Sequence, residues 1–400
     1  MIYREMPKTK DKISVLGYGC MRFPRKSGII DEARTERQVA AAVERGVNYF
    51  DTAYIYPGSE KTLGKVLVRQ RLRNHVMIAT KLPAMFVKDK RHINEIFEKQ
   101  LERLQTDHID YYLIHNLSSL MDFGRLREKG IEDFIAKEQA RGRIRAIGFS
   151  FHGNLREFRL IVDAYPWDFC QIQYNYLDEH FQAGTEGLNY AAENGLGVIA
   201  MEPLRGGMLG DQLPQEARRL FEADVTHAGR SPAEWGLRWV WSHPGVVAAL
   251  SGMNDESHIE ENTRIASEIG NAAADLSATE HRMIAVVKEF FDRHLRVPCT
   301  GCAYCMPCPF GVDIPTCFSW YNRYGVRKSF FAKAQYIIAT EGVVNGQPSK
   351  ASLCRNCGTC EKRCPQQIPI RSQLKAVAAE MEGALLRVPI STALRLFHKK

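Results

Sequence analysis

Short apolar runs recur along the first 270 or so residues. Each is followed by about 10–15 residues in which apolar positions return every third or fourth place, the spacing of one helix face. The runs predict strands at Val15–Gly19, Asn48–Asp51, Val76–Thr80, Ile109–Ile114, Ala146–Phe149, Phe169–Tyr174, Val198–Met201 and Val246–Leu250. The amphipathic stretches predict helices at Thr35–Arg45, Ser59–Val68, Ile93–Leu104, Ile131–Ala140, Leu155–Ala164, Thr185–Asn194, Pro232–Trp241 and His258–Ile269. Gly46, Gly142 and Gly195 stand where a left-handed residue closes a helix, and Ser231-Pro232 reads as a cap followed by a first-turn proline. Eight strands alternating with eight helices over about 250 residues is the count of a (β/α)8 barrel. The rival, a doubly wound open sheet, would carry a Gly-x-Gly-x-x-Gly after its first strand. Gly17-Tyr18-Gly19-Cys20 lacks the third glycine and opens no immediate helix, which argues against it. The segment before the first strand is expected to form a small hairpin that plugs the barrel floor.

Composition changes this picture only at the C-terminal end. The chain has 400 residues, 45% apolar and 25% charged, ordinary for a globular protein of two or three domains. Eighteen consecutive apolar residues occur nowhere, which excludes a membrane span, and Met1-Ile2-Tyr3-Arg4-Glu5 lacks the apolar core of a secretory signal. A cytoplasmic address is the expectation. Nine of the 11 cysteines, however, lie between Cys299 and Cys364. From Arg296 onward 15 Lys and Arg face 5 Asp and Glu, so the overall +8 resides there and the first 295 residues are close to neutral. These basic residues are scattered, without the long run of a nucleic-acid arm. The expected division is a barrel over 1–290 and a smaller, mainly α-helical, cysteine-rich domain over 291–400.

In a barrel, chemistry sits at the carboxyl ends of the strands. There the sequence puts Asp51 after the second strand, Tyr56 in its loop, Lys81 after the third and His115 after the fourth. An ammonium stabilises a phenolate, a carboxylate holds the ammonium, and an imidazole orients a carbonyl oxygen, so the set suits proton delivery to a carbonyl as hydride reaches its carbon. Taken singly, each residue also reads as a cap, a surface lysine or a satisfied core histidine. Together on successive strands they read as a site.

The segments Asp51-Thr52-Ala53-Tyr54-Ile55-Tyr56-Pro57-Gly58-Ser59-Glu60, Ala79-Thr80-Lys81 and Asp110-Tyr111-Tyr112-Leu113-Ile114-His115 resemble the aldo-keto reductase superfamily. The resemblance continues through Ile144–Ser150, Gln171–Asn175, Gly197–Leu204, Gly252 and Glu261-Asn262. It implies that Tyr56 is the general acid, that Lys81 and Asp51 tune it, and that His115 orients the substrate carbonyl. It also implies NAD(H) or NADP(H) across the barrel mouth, with Ser150 and Gln171 at the carboxamide and Glu261 and Asn262 near the adenine. The chain departs from the family where Phe151 replaces an Asn and Met201 replaces the aromatic ring that stacks on nicotinamide. The cations that grip a 2′-phosphate are replaced by His258 and Gly252, which favours NADH unless Arg264 or Arg205 compensates.

The run Cys354-x2-Cys357-x2-Cys360-x3-Cys364-Pro365 has the bacterial ferredoxin spacing, and Cys299-x2-Cys302-x2-Cys305-x2-Cys308-Pro309 repeats it with one residue fewer. Zinc sites use separated Cys pairs, and disulfides are not expected without export, so two [4Fe–4S] clusters are the reading. By the ferredoxin rule, Cys299, Cys302, Cys305 and Cys364 hold one cluster, and Cys354, Cys357, Cys360 and Cys308 the other. Cys317 is a spare candidate, while Cys20 and Cys170 read as buried hydrophobes, with Cys20 placed to face the mouth. About 45 residues separate the runs, and helices are expected at Ser329–Ala339 and Ser372–Glu382. The arrangement resembles the α-helical ferredoxin modules fused to redox enzymes. The basic end Leu394–Lys400 reads as an ordinary helix terminus.

The expected function is therefore carbonyl/alcohol interconversion on a small molecule, coupled to or accompanied by an electron relay. Hydride carries two electrons and a cluster one, so coupling needs a splitter such as a flavin. No flavin motif is present, which leaves a bound flavin, a redox partner (ferredoxin, flavodoxin or flavoprotein), or clusters with a structural or oxygen-sensing role. The alternative reading is a non-catalytic electron-transfer or docking subunit of a larger redox complex. Neither the substrate nor the oligomeric state is legible: specificity in such barrels comes from loops, and the loop expected over Met208–Ala228 gives no readable preference.

Overall fold

A computed structural model of the chain describes residues 1–223, 225–269, 276–326, 328–342 and 347–383. The chain divides into two compact units. One comprises Met1–Leu204 with Arg230–His281, the other Arg205–Gly229 with the chain from Arg282 onward.

The first unit is a closed barrel of eight parallel strands: β1 (Leu16–Gly19), β2 (Tyr49–Asp51), β3 (Met77–Pro83), β4 (Ile109–Leu117), β5 (Ile144–Phe151), β6 (Phe169–Gln173), β7 (Gly197–Met201) and β8 (Val246–Ser251). Each pairs with its sequence neighbours, and β8 pairs with β1 to close the cylinder. All eight expected strands are present, as are the eight expected helices; the sequence pattern missed Leu120–Glu128 and Ala278–His294. Helix starts follow local chemistry, with Asp31, Asp89, Asn154 and Ser231 each accepting a hydrogen bond from the amide three residues on. Gly46, Gly142 and Gly195 adopt φ of 91°, 71° and 74°, the left-handed conformation that ends each helix before its strand.

Inside the barrel, Tyr49, Ala79, Tyr111, Leu113, Ala146, Phe169, Ile199, Ala248 and Leu250 form one buried cluster with Met6 and Ile13. Met6 and Ile13 belong to the expected hairpin, in which Tyr3–Glu5 pairs with Lys12–Ser14. Its turn stops the floor: Tyr111 Oη donates to Asp11 at 2.6 Å, Arg145 pairs with the same carboxylate, and Lys8 donates to the carbonyl of Trp167. Arg4 further ties the strand to the carbonyl of Trp241 at 2.6 Å.

The second unit contains the helix Ala278–His294 from Arg282 on and the helices Gln215–Glu222, Ile314–Val326, Phe330–Thr340 and Ile370–Met381; among its described residues there is no strand. The last two match the expected helices, whereas Gln215–Glu222 is a helix inside the 208–228 stretch expected to be a loop. Val297, Ile314, Phe318, Tyr336, Leu374, Val377 and Met381 form its core. Asn322 joins helix to loop, accepting from the amides of Arg296 and Val297 and donating to the carbonyl of Val297. The basic end 394–400 lies outside the described residues. Among those residues, no helix is long and apolar enough to cross a membrane.

Candidate active site and cysteine hollows

Side chains alternate along a strand, so the residue two places beyond an inward core residue also points inward, one layer nearer the carboxyl rim. Two steps on from Tyr49, Ala79, Leu113 and Phe169 are Asp51, Lys81, His115 and Gln171. The barrel thus ends in a layer of polar groups above an apolar one, and all four are buried. Lys81 Nζ donates to Asp51 Oδ1 at 2.6 Å and to the carbonyl of Thr52 at 2.7 Å. Asp51 also accepts from Gln171 Nε2 at 2.8 Å. With 1% of its surface exposed, Lys81 is a cation removed from water and compensated by one carboxylate.

Tyr56 comes to this pair from the loop after β2. Lys81 Nζ lies 5.3 Å from its ring centre, and the ring meets His115 edge-on at 6.0 Å. The four candidate catalytic residues are therefore gathered at one place. Burial, then the neighbouring Lys81 charge, holds His115 well below the ordinary histidine range, so it is a neutral imidazole at physiological pH. Cys20, buried just beyond β1, is a thiol pushed up by burial and by the Asp51 carboxylate, and it donates to the carbonyl of Tyr18.

On the cofactor side, Ser150 Oγ accepts from the amide of Asn116 at 2.8 Å. Gln171 Oε1 is buried and has no hydrogen-bond partner among the described residues. An orphaned carboxamide oxygen beside the Asp51–Lys81 pair fits an amide N–H arriving with a nicotinamide. Met201 ends β7, partly exposed. Asn262 is buried and donates to Ser251 at 3.0 Å, and Glu261 beside it is partly exposed. Arg264 is engaged by Glu234 at 2.9 Å and Glu268 at 2.6 Å. Phe151 is buried among Phe149 and Phe158.

Reading motif by motif missed His152. It lies two residues beyond Ser150, so the alternation carried one step past the strand's end at Phe151 would have found it, and it stands close enough to His115 to disfavour a charge there. Burial and then Lys81 hold it down at about 4, against a bond to Gln182 that favours the charged form. Its Nδ1 lies 3.2 Å from Gln182 Oε1.

In the second unit the cysteines ring two hollows. Cys299, Cys302, Cys305 and Cys364 line one together with Ile314, Phe318 and Ile368. Cys308, Cys354, Cys357 and Cys360 line the other with Phe310 and Leu374, and Cys305 lines both. Each hollow thus draws a cysteine from the opposite run. Four thiols around an apolar recess fit a cubane cluster in each. Cys317 lines neither; it is buried against Tyr336.

A closed parallel barrel whose titratable groups gather at the carboxyl rim has the layout of a (β/α)8 enzyme. Comparison with known proteins identifies which kind. The chain belongs to the aldo/keto reductase family, whose model matches residues 15–276, and residues 298–369 match the 4Fe-4S dicluster domain. It is an oxidoreductase of that family carrying an iron–sulfur domain. It is 27% identical to L-galactose dehydrogenase of Arabidopsis thaliana over 292 residues, 68% of this chain and 90% of that protein. Aldo-keto reductase YhdN of Bacillus subtilis is 26% identical, covering 66% of this chain and 88% of its own length. Among solved structures, the holo form of aldo-keto reductase AKR11C1 from Bacillus halodurans superposes with a TM-score of 0.58 at 25% identity, over 72% of this chain and 96% of that one.

Proposed function

We propose that the barrel interconverts a small carbonyl compound and its alcohol with NAD(H). The observation that carries this reading is the joining of Asp51, Lys81, Tyr56 and His115 at one rim. Tyr56 gives its proton to the carbonyl oxygen, and the Lys81 charge beside the ring stabilises the phenolate left behind. Asp51 fixes Lys81, and the neutral His115 orients the carbonyl without competing as an acid. A bound nicotinamide supplies the hydride. Ser150 and Gln171 would hold its carboxamide, Met201 would stand in for the aromatic ring beside the nicotinamide, and Glu261 and Asn262 would take the adenosine end. NADH is favoured because Arg264, which could have gripped a 2′-phosphate, is already held by two carboxylates.

In the domain proposed over 291–400, Cys299, Cys302, Cys305 and Cys364 hold one [4Fe–4S] cluster, and Cys308, Cys354, Cys357 and Cys360 the other. Such clusters pass single electrons. Exchange with the barrel then requires a flavin-bearing or other redox partner. The deciding experiment is titration of anaerobically purified, cluster-replete protein with NADH and NADPH, followed by aldehyde reduction. Sub-millimolar NADH binding with turnover is expected. Absence of both would overturn the reading in favour of a docking subunit.

A further inference from the structure

β4 and β5 are neighbours, and their pairing runs beyond the regular ladder: Leu117 stands opposite Phe151, and the His152 amide donates to the Leu117 carbonyl at 2.9 Å. The close seam depends on Gly153, where a Cβ would collide with the carbonyl of Ser118. Along β5 the inward positions are Ala146, Gly148 and Ser150, and His152 continues them past the end of the strand. On β4 the inward positions end at His115. The two imidazoles thus crown adjacent strands on the inner side, His152 one step nearer solvent and partly exposed. Gln182, from the loop after β6, fixes the His152 ring at 3.2 Å. A carboxamide oxygen only accepts, so the ring hydrogen sits on Nδ1 and Nε2 is a hydrogen-bond acceptor.

A carbonyl oxygen offers nothing to such an acceptor; a hydroxyl does. Resting on the reading of the rim proposed above, we infer that His152, held by Gln182, determines specificity by accepting a hydrogen bond from a hydroxyl on the carbon next to the carbonyl. The substrate class is the small hydroxyaldehydes and hydroxyketones. His115 and Tyr56 serve the carbonyl oxygen; His152, a step outward, reads the neighbouring carbon's substituent. In this role His152 contacts substrate and Gln182 is a positioning residue.

The test compares glyceraldehyde with propanal, which share a three-carbon skeleton but differ in hydroxyls. Wild type is expected to prefer glyceraldehyde in kcat/KM, and His152→Leu to reduce that preference about tenfold or more, mainly through KM for glyceraldehyde. His152→Gln, which retains an acceptor, should restore part of it. Gln182→Leu, on a partly exposed loop position, should shift the ratio the same way by a smaller factor and keeps the test open if the first variant fails to fold. Turnover of both aldehydes without preference, or a preference unmoved in both leucine variants, overturns the inference alone. Failure of wild type to reduce either aldehyde overturns the reading of the rim, and this inference with it.

Discussion

At Tyr56 the question is what a single hydroxyl contributes once the rest of the rim is in place. Tyr56→Phe retains the ring beside Lys81 and the edge contact to His115 while removing only the hydroxyl proposed to give the proton. Its kcat should fall about 10²–10⁴-fold with little change in NADH affinity, measured by steady-state kinetics and fluorescence titration. Acid should act through the neutral histidines. His152 folds with its proton affinity lowered to about 4, whereas the unfolded chain binds a proton at its ordinary value near 6.5. Below that value the unfolded state takes up protons that the fold refuses, so stability is lost as pH falls from about 6.5 to 4 and the loss levels off below. His152→Gln cannot titrate, so its stability relative to wild type should rise over that interval by about 1–3 kcal/mol, read from melting temperatures at stepped pH. At this scale much was legible. Asp51, Lys81 and His115 each follow an apolar run, and Tyr56 lies within a motif. His152 escaped notice because the expected motif ends at Ser150, and only the two-residue period carries beyond it.

Among elements, sequence periodicity found every barrel strand because each is apolar on both faces, toward the interior and toward the helices. Leu120–Glu128 was missed because it packs by little more than Phe123 and Leu126, too few apolar positions to set a period, though its Ser119–Asp122 capping box marks the start. Close approaches between elements are another matter, since they are written in single glycines. A Cβ on Gly64 would stand 2.5 Å from the carbonyl of Arg103, at the seam between the helices Ser59–Arg69 and Lys90–Leu104. Gly64→Ala should cost about 1–3 kcal/mol in denaturant unfolding, because backbone cannot yield as a side chain would. Gly153→Ala pushes against backbone as well, at the seam carrying His152. It should lower stability by a similar amount and also erode discrimination between glyceraldehyde and propanal, which Gly64→Ala should leave alone.

For the whole molecule, the cysteine runs carry a topology that their order in the chain does not display. If each run held its own cluster, Cys364→Ser would spare the first run's cluster. In the crossed arrangement supported by the two hollows, Cys364→Ser should impair the cluster otherwise bound by Cys299, Cys302 and Cys305, and Cys308→Ser the other. Iron and sulfide analysis should fall from about eight iron atoms per chain toward about four in each variant, with different electron paramagnetic resonance signals remaining. Spacing marked the candidate ligands, but the helix Ile314–Val326 between them was not foreseen, its polar and aromatic residues masking the apolar period.

The hairpin beneath the barrel has a consequence for traffic. The cylinder is filled by its layer of apolar side chains, and with Met6 buried beneath that layer and Asp11 tied to Tyr111 and Arg145 the floor is shut, so the carboxyl rim is where the polar layer meets solvent. Whatever enters for reaction must leave by the same opening, past any dinucleotide stretched across it. If the barrel reduces an aldehyde with a dinucleotide as proposed, the larger molecule is expected to bind first and leave last, an order that product-inhibition kinetics would check.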